Sequence, residues 1–281
     1  MQASAPQDRG GQTSGRVSPA QAPAKIGIVA GGGRLPLSVA ESVVGRGGAV
    51  YIVGIQGEAD ADIARFPHTW VNWGQIGRMV DTLQREAGPE LVIAGSVTRP
   101  DLRRIRPDLG FLKSLPKVFG LLAGGDDSVL TRVVRFFEAN GFVVRGAHEV
   151  APELLVQEGA AGARPLSASA RADAEIGFAV RALLGPLDAG QAVVVSGGRV
   201  LAIEGAEGTD AMLERAQRVR QELALANGGV LAKGPKPGQE LRIDMPAVGP
   251  RTVELGVAAG LDGVALEAGG VLVLDRQEMI R

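Results

Sequence analysis

The chain has 281 residues, 45% of them hydrophobic, with no cysteine, two histidines and a formal net charge of -1. The small net charge disfavours general nucleic-acid binding, and the lack of cysteine excludes disulfides, thiolate metal sites and cysteine nucleophiles. The length suits two domains, no apolar run approaches a membrane span, and any metal should be a hard ion held by carboxylates.

Residues 1–24 are rich in Gln, Ser, Pro, Gly and Ala and lack the apolar segment of a secretion signal. Such a composition does not bury enough apolar surface to fold by itself. We therefore predict a disordered tail over residues 1–24.

The N-terminal half alternates short apolar runs with helical patterns. Predicted strands cover 25–30, 49–54, 91–94 and 142–144, and predicted helices cover 35–46, 75–86 and 127–140. This alternation is typical of a parallel sheet with helices on both faces. We predict a Rossmann-like, nucleotide-binding α/β domain over 25–156.

Two segments at predicted strand ends have the chemistry of an anion site. Gly31, Gly32 and Gly33 follow the first strand, where backbone N–H groups of such folds approach phosphates. The match to G-x-G-x-x-G is poor, so a tight turn without ligand has nearly equal weight. After the third predicted strand, Ser96 and Arg99 offer a hydroxyl and a guanidinium suited to an anion.

The start of the helix at 127–140 carries two adjacent carboxylates. Asp126 and Asp127 either hold a divalent cation or cap the helix, and capping is the slightly favoured interpretation. Basic and large apolar residues interleave over 103–122. That pattern suits an anionic membrane surface or an acyl-chain pocket, but a core-packing helix with a basic face is the simpler interpretation.

A Gly- and Ala-rich stretch over 157–166 is the predicted linker. Beyond it we predict a distinct mixed α/β domain over 167–281. The predicted helices cover 167–184, 210–226 and 251–260, and the predicted strands cover 192–195, 200–203, 230–232, 263–266 and 271–274. The strands 192–195 and 200–203, joined by the turn at 196–198, form a predicted β-hairpin. In this interpretation Thr209 is the N-cap of the second helix.

The segment 233–250 is the strongest candidate for a site. It combines Lys233, Lys236 and Asp244 with many prolines and glycines, which helices and central strands rarely tolerate. We predict a shaped loop with a short extended stretch. A second charged, Gly-rich cluster at 204–210 supports a site here.

Seven motifs in chain order resemble one known family. They are AGGGRLP (30–36), GSVTRP (95–100), GDDSVL (125–130), GAHE (146–149), EGTDAML (207–213), KGPKP (233–237) and RIDMPAVG (242–249). Together they are similar to the two-domain, non-calcineurin-like UDP-2,3-diacylglucosamine pyrophosphatases of lipid A biosynthesis, from residue 25 to the C-terminus.

The resemblance implies hydrolysis of UDP-2,3-diacylglucosamine to UMP and 2,3-diacylglucosamine 1-phosphate with Mg²⁺, or Mn²⁺ in its place. The aspartate that the family needs for hydrolysis aligns with Asp244, and Asp210 and Glu204 are the further metal-ligand candidates. Whether Asp244 holds the metal or orients water is open, and metal ligation is favoured. The predicted substrate-binding residues are Gly31, Gly32, Gly33, Ser96, Arg99, Asp126, Thr209, Lys233 and Lys236.

The same resemblance places the lipid between the two domains. We expect Phe111, Leu112, Leu115 and Phe119 to form part of the acyl-chain wall, because each buried methylene contributes about 0.8 kcal/mol. The expected setting is cytoplasmic, with transient contact to the inner-membrane surface and no nucleic-acid partner. A homodimer is expected on base rates alone.

Two other functions compete with hydrolysis. One is a non-catalytic sensor that binds a nucleotide sugar. The other is a nucleotide-dependent oxidoreductase, which needs an acidic residue at the end of the second strand. That strand is followed by an acid only at Glu58, and this disfavours the oxidoreductase.

Overall fold

The computed structural model describes residues 25–98, 126–160, 162, 164–187 and 189–280. The predictions for the tail, for Arg99 and for the wall segment 103–122 lie outside these residues. In the described part of the chain, no helix has the length and apolar character needed to cross a bilayer.

The first half is a parallel five-stranded sheet in the order β3-β2-β1-β4-β5. Its strands are β1 (Lys25–Ala30), β2 (Ala49–Ile55), β3 (His68–Val71), β4 (Glu90–Ala94) and β5 (Val143–Arg145). The runs of buried Val and Ile in β1 and β2 fit strands covered on both faces. The predicted Rossmann-like sheet is confirmed. Strand β3 was not predicted, because its first residues are polar.

Helices cover both faces of this sheet. They are α1 (Leu35–Gly45), α2 (Ile76–Glu86), α3 (Asp126–Ala139) and the single turn α4 (Ala147–Val150). One core contains buried residues of α1 and α4, and the opposite core contains those of α2 and α3. Of the apolar residues at helical spacing in α2, Met79, Val80 and Leu83 are buried, and Ile76 is partly buried.

The second half contains a mixed four-stranded sheet in the order β10-β8-β6-β7. These strands are β6 (Ala192–Ser196), β7 (Arg199–Ile203), β8 (Val230–Lys233) and β10 (Gly263–Leu266). The hairpin β6–β7 is antiparallel as predicted, whereas β8 and β10 are parallel. A mixed α/β architecture that differs from the first half is therefore confirmed.

Four helices accompany this sheet: α5 (Ala168–Leu184), α6 (Gly208–Glu222), α7 (Pro250–Ala258) and the short α8 (Arg276–Ile280). Helix α5 begins after Ser167, whose hydroxyl accepts the N–H of Ala170 at 3.1 Å and so caps the helix. Helix α6 begins two residues before the predicted start and ends at Glu222, because the chain turns at Ala224 with a positive φ of 49°.

A third, two-stranded sheet joins the halves. It pairs β9 (Ala247–Val248) with β11 (Leu272–Val273) in parallel. Met245 and Leu272 are buried in the same core as α1. Residues from the C-terminal half therefore complete a core of the N-terminal half, and this packing fixes the position of the segment between β8 and β9.

Candidate active site

The carboxyl ends of β1 and β4 lie side by side where the strand order of the first sheet reverses, the place at which such sheets bind ligands. Here Gly31–Gly33 meet Gly95 and Ser96, and we call this contact the glycine crossing. The N–H of Gly31 donates to Ala94 O at 2.9 Å, and the N–H of Gly32 donates to Ser96 O at 2.7 Å. These two N–H groups therefore stabilise the protein's own turn.

Position 31 requires glycine because two backbone segments lie very close together there. A β-carbon at Gly31 would collide with the backbone of Ser96. Gly33 differs, since it has a φ of 87° and open space around the position of a β-carbon. Of the three glycines predicted to hold phosphate, Gly33 is the one that faces space, while Gly31 and Gly32 fit the tight-turn interpretation.

Glu58 lies beside the glycine crossing. Its carboxylate accepts the N–H of Thr98 at 3.0 Å and the hydroxyl of the same residue. Both oxygens thus hold the chain after β4. An acid engaged in this way is a poor ribose ligand, which further disfavours dinucleotide binding.

Asp244 reaches the same edge of the first sheet from the second half of the chain. Its neighbour Ile243 packs against the core of α2 and α3, and Met245 lies in the opposite core. The Cα of Arg242 lies 3.3 Å from the β-carbon position of Gly146, directly after β5. The segment therefore crosses the carboxyl edge of the sheet with Asp244 between the two cores.

The Asp244 carboxylate is held from one side. Its Oδ2 accepts the amide of Gln239 at 2.6 Å, and Gln239 in turn accepts the N–H of Lys236 at 2.8 Å. Gln239 is buried and Asp244 is partly buried. Within the described residues no hydrogen bond engages Oδ1 of Asp244. The fold thus fixes one oxygen of this carboxylate and leaves the other without a partner in that part of the chain.

Lys233, at the end of β8, is 6% exposed. Its ammonium donates to Thr209 Oγ1 and to Ala247 O, each at 2.9 Å. Burial lowers the pKa of Lys233, while the carboxylates of Glu204, Asp210 and Asp244 oppose that shift. The three predicted metal ligands therefore all stabilise the charge of a lysine that is already present.

Thr209 does not cap α6, and that prediction is wrong. The residue before the helix is Glu207, and it makes no side-chain cap. The hydroxyl of Thr209 instead donates to Glu204 Oε1 at 2.6 Å while it accepts from Lys233. The other oxygen of Glu204 accepts the N–H of Gln191 at 2.7 Å. Glu204 is an internal acceptor, and Asp210 is exposed in the first turn of α6.

These contacts test whether a divalent cation fits. No group of three His, Cys, Asp or Glu side chains able to hold a metal occurs within the described residues. A preformed carboxylate cage is therefore not seen there. Mg²⁺ is commonly held by one or two carboxylates together with substrate phosphates. Asp244, with Oδ1 available, fits that second arrangement.

Arg181 of α5 shapes the loop and was missed from the sequence. It is buried, donates to the carbonyl oxygen of Pro235 and to the carboxylate of Glu267, and lies 5.6 Å from the ring centroid of Phe178. A β-carbon at Gly234 would come within 3.0 Å of the Arg181 guanidinium carbon. An arginine within the otherwise apolar stretch 176–184 of the predicted helix was the available signal.

Ion pairs connect the halves on both sides of Asp244. Arg34, next to the glycine crossing, contacts Asp275 at 3.2 Å. Arg242 contacts Glu138 of α3 at 2.9 Å and Glu240 at 2.7 Å. The hydrogen bond from Arg242 lowers the pKa of the Glu240 carboxyl.

The remaining predicted residues are less informative. Asp126 is the first residue of α3, and Arg99 lies outside the described residues. Ser96 belongs to the glycine crossing, where its N–H donates to Gly32 O at 2.9 Å. The structure thus joins Lys233, Thr209 and Glu204 by hydrogen bonds, whereas Asp210 and Asp244 act on Lys233 only through their charge.

A separate cleft of about 420 Å³ lies in the second half beside the β6–β7 turn. The buried Asp173 accepts the N–H groups of Gly197 and Gly198 there at 2.9 and 2.7 Å. None of the residues lining this cleft is a predicted site residue.

Comparison with known proteins gave two findings. The family model described as the LpxI N-terminal domain matches residues 25–154, and that of the LpxI C-terminal domain matches residues 157–281. A curated Caulobacter vibrioides protein, UDP-2,3-diacylglucosamine pyrophosphatase LpxI, is 40% identical over 262 residues. The alignment covers 91% of this chain and 92% of that relative.

Proposed function

Because this chain belongs to the LpxI family, we propose that it is a hydrolase of lipid A biosynthesis. Its substrate is UDP-2,3-diacylglucosamine, and its products are UMP and 2,3-diacylglucosamine 1-phosphate. The 40% identity to a pyrophosphatase over most of both chains supports this activity.

The position of Asp244 carries the proposal. A carboxylate from the second half lies at the carboxyl edge of the first sheet, between residues buried in its two cores. Nucleotides bind at this edge in doubly wound folds. One place therefore offers both a nucleotide-binding geometry and an acidic group for the chemistry.

The reaction needs water to attack one phosphorus of the diphosphate while the bridging P–O bond breaks. Oδ1 of Asp244 has no hydrogen-bond partner among the described residues, and Gln239 holds its Oδ2, so its orientation is set before substrate arrives. Asp244 serves either as a cation ligand or as the group that orients the attacking water. In this proposal Lys236 contacts a phosphate oxygen, and the Gly33 turn contacts the nucleotide.

Mg²⁺, with Mn²⁺ as the alternative, belongs to the same proposal. When bound it neutralises charge on the diphosphate. Asp244 is the residue that would hold it, with Asp210 as the nearby exposed carboxylate. Glu204 contributes to the field at the site, since both of its oxygens already accept protein hydrogen bonds.

The remaining partners are the lipid-linked nucleotide and, transiently, the inner-membrane surface on the cytoplasmic side. A homodimer stays an expectation from base rates. The acyl chains are proposed to lie between the halves, and Phe111, Leu112, Leu115 and Phe119 stay the candidates for their wall.

One assay tests the function. The purified protein is incubated with UDP-2,3-diacylglucosamine and Mg²⁺, and UMP is measured over time. Release of UMP supports the hydrolase. Binding of the lipid nucleotide without release would instead support the non-catalytic sensor, and neither binding nor release would refute both.

A further inference from the structure

The loop 234–244, which runs from the end of β8 to Asp244, packs closely against two other parts of the second half. A β-carbon at Gly185, the residue that ends α5, would collide with Cδ of Pro237. A β-carbon at Gly270, just before β11, would lie 2.7 Å from Cδ of Pro235. Because glycine alone lets the backbone come this close, the two prolines fix the start of the loop against these elements.

Arg181 of α5 holds the same part of the loop by a hydrogen bond. Its side chain is 9% exposed, and its two terminal nitrogens donate to the carbonyl oxygen of Pro235 and to the carboxylate of Glu267. The planar fork of a guanidinium can make both bonds at once. Proline has no N–H, so its carbonyl is the backbone group by which Pro235 is held.

A continuous series of contacts runs from this carbonyl to Asp244. The backbone N–H of Lys236 donates to Oε1 of Gln239 at 2.8 Å, and the amide nitrogen of Gln239 donates to Oδ2 of Asp244 at 2.6 Å. The carbonyl of Pro235 and the N–H of Lys236 belong to one planar peptide unit. Arg181 therefore binds one side of the peptide whose other side binds Gln239, and a rotation of that plane would move both groups together.

We propose that Arg181 is a positioning residue for Asp244. It sets the orientation of the peptide 235–236, this peptide sets the amide of Gln239, and Gln239 sets the Asp244 carboxylate. The effect on turnover rests on the proposed function. A small misplacement of a reacting group lowers a rate strongly, so loss of Arg181 should act on kcat more than on substrate binding.

The first test compares two buried arginines of the second half. Arg181→Met removes the hydrogen bond to the loop, and we expect kcat for UMP release to fall about ten-fold with KM little changed. Arg220→Met is the matched control, because Arg220 is 5% exposed and donates to three backbone carbonyl oxygens outside the loop. It should lower the free energy of unfolding and leave kcat unchanged. A wild-type kcat in Arg181→Met, or an equal fall in both variants, would overturn the proposal.

A double variant tests whether Arg181 acts through Gln239. If it does, Arg181→Met combined with Gln239→Ala should be no slower than Gln239→Ala alone, because the support that Arg181 gives is already lost. Independent effects would instead multiply to about 100-fold. Multiplied losses would show that Arg181 does not act through this series of contacts and would overturn the proposal.

Hydrogen exchange tests the same contacts without substrate. The Lys236 N–H should be protected in the wild type because it is bonded to Gln239. Arg181→Met should lose this protection, whereas Arg220→Met should keep it. Unchanged protection in Arg181→Met would overturn the proposal even if the wild type released no UMP, so failure of the positioning role and failure of the hydrolase function are distinguishable.

Gly234→Ala tests the contact without removing the arginine, in case Arg181→Met does not fold. The added β-carbon would lie 3.0 Å from the guanidinium carbon of Arg181 and 2.7 Å from a carboxylate oxygen of Glu267. It should therefore push the guanidinium from the loop, lower the protection of the Lys236 N–H and reduce kcat. Wild-type protection and a wild-type kcat in this variant would contradict the proposal.

Discussion

The glycine crossing and the loop 234–244 both follow strands and both have the composition of an anion site, yet their polar groups are engaged differently. At the crossing, the N–H groups of Gly31 and Gly32 are paired with backbone oxygens. In the loop, Asp244 is held through one oxygen, and the other has no partner within the described residues. A motif marks a ligand site only where its polar groups remain unpaired after folding.

The largest expected effect concerns the loop. Asp244→Asn removes the charge but keeps the size of the side chain, and Gln239 can still donate to its oxygen. We expect kcat to fall by about 100-fold or more, within the range for loss of a catalytic acid or base. Rates of UMP release and substrate binding by calorimetry check this. Unfolding temperature should change little, and retained turnover would remove Asp244 from the mechanism.

A substitution at the glycine crossing is expected to lower the free energy of unfolding. Gly31→Ala places a β-carbon against the backbone of Ser96, and overpacking of this kind costs about 1–3 kcal/mol. Denaturant unfolding measures the change. Gly45→Ala is the matched control, since Gly45 lies in α1 with open space around it and should be neutral or slightly stabilising. Equal effects at both positions would show that the crossing is not tightly packed.

Loss of Gln239, which holds the Asp244 carboxylate, is expected to lower kcat less than loss of the Asp244 charge itself. Gln239→Ala removes the amide that fixes the carboxylate. Loss of a supporting hydrogen bond typically costs 10–100-fold in metal affinity or activity, and we expect about a ten-fold fall in kcat. Gln84→Ala, a surface glutamine bonded to Asn140 O, should leave UMP release unchanged. A wild-type rate in Gln239→Ala would mean that Asp244 is oriented by other groups.

The smallest effect is a pH dependence. Arg242 lowers the pKa of Glu240 below its ordinary value of 4.5. A lowered folded-state pKa stabilises the protein above the unfolded value, and that stability is lost as pH falls through the folded value. Glu240→Gln should cost under about 1 kcal/mol at pH 7 because the pair is partly exposed. Denaturation at pH 7 and pH 3 should show this cost disappearing in acid, and a constant difference would contradict the assignment.

Much of the fold followed from periodicity. Alternating apolar runs and helical stripes gave β1, β2, α2 and the β6–β7 hairpin, because burial of one face leaves a clear pattern. The pattern did not reveal β3, whose first residues are polar and only partly buried. It also did not show that Met245 and Leu272 complete the first core, since long-range packing leaves no local signal.

Less of the candidate site than of the fold could be predicted from the sequence. The composition of the segment 233–250 pointed to Asp244, but its role in hydrolysis came from the resemblance. Lys233 was predicted to bind phosphate, because a charged residue that follows a strand usually faces solvent and is therefore accessible to a ligand. Its burial depends on Ala247 and Thr209, which lie in other elements. A lysine whose partners are distant in sequence is assigned only when the tertiary contacts are known.

The central claim is that Asp244, from the second half of the chain, meets the diphosphate at the carboxyl edge of the first sheet. A crystal structure of Asp244→Asn with UDP-2,3-diacylglucosamine tests it most directly. The account predicts the diphosphate within hydrogen-bonding distance of position 244, with the uridine toward Gly33. A diphosphate bound elsewhere, for instance in the cleft beside Asp173, would contradict it.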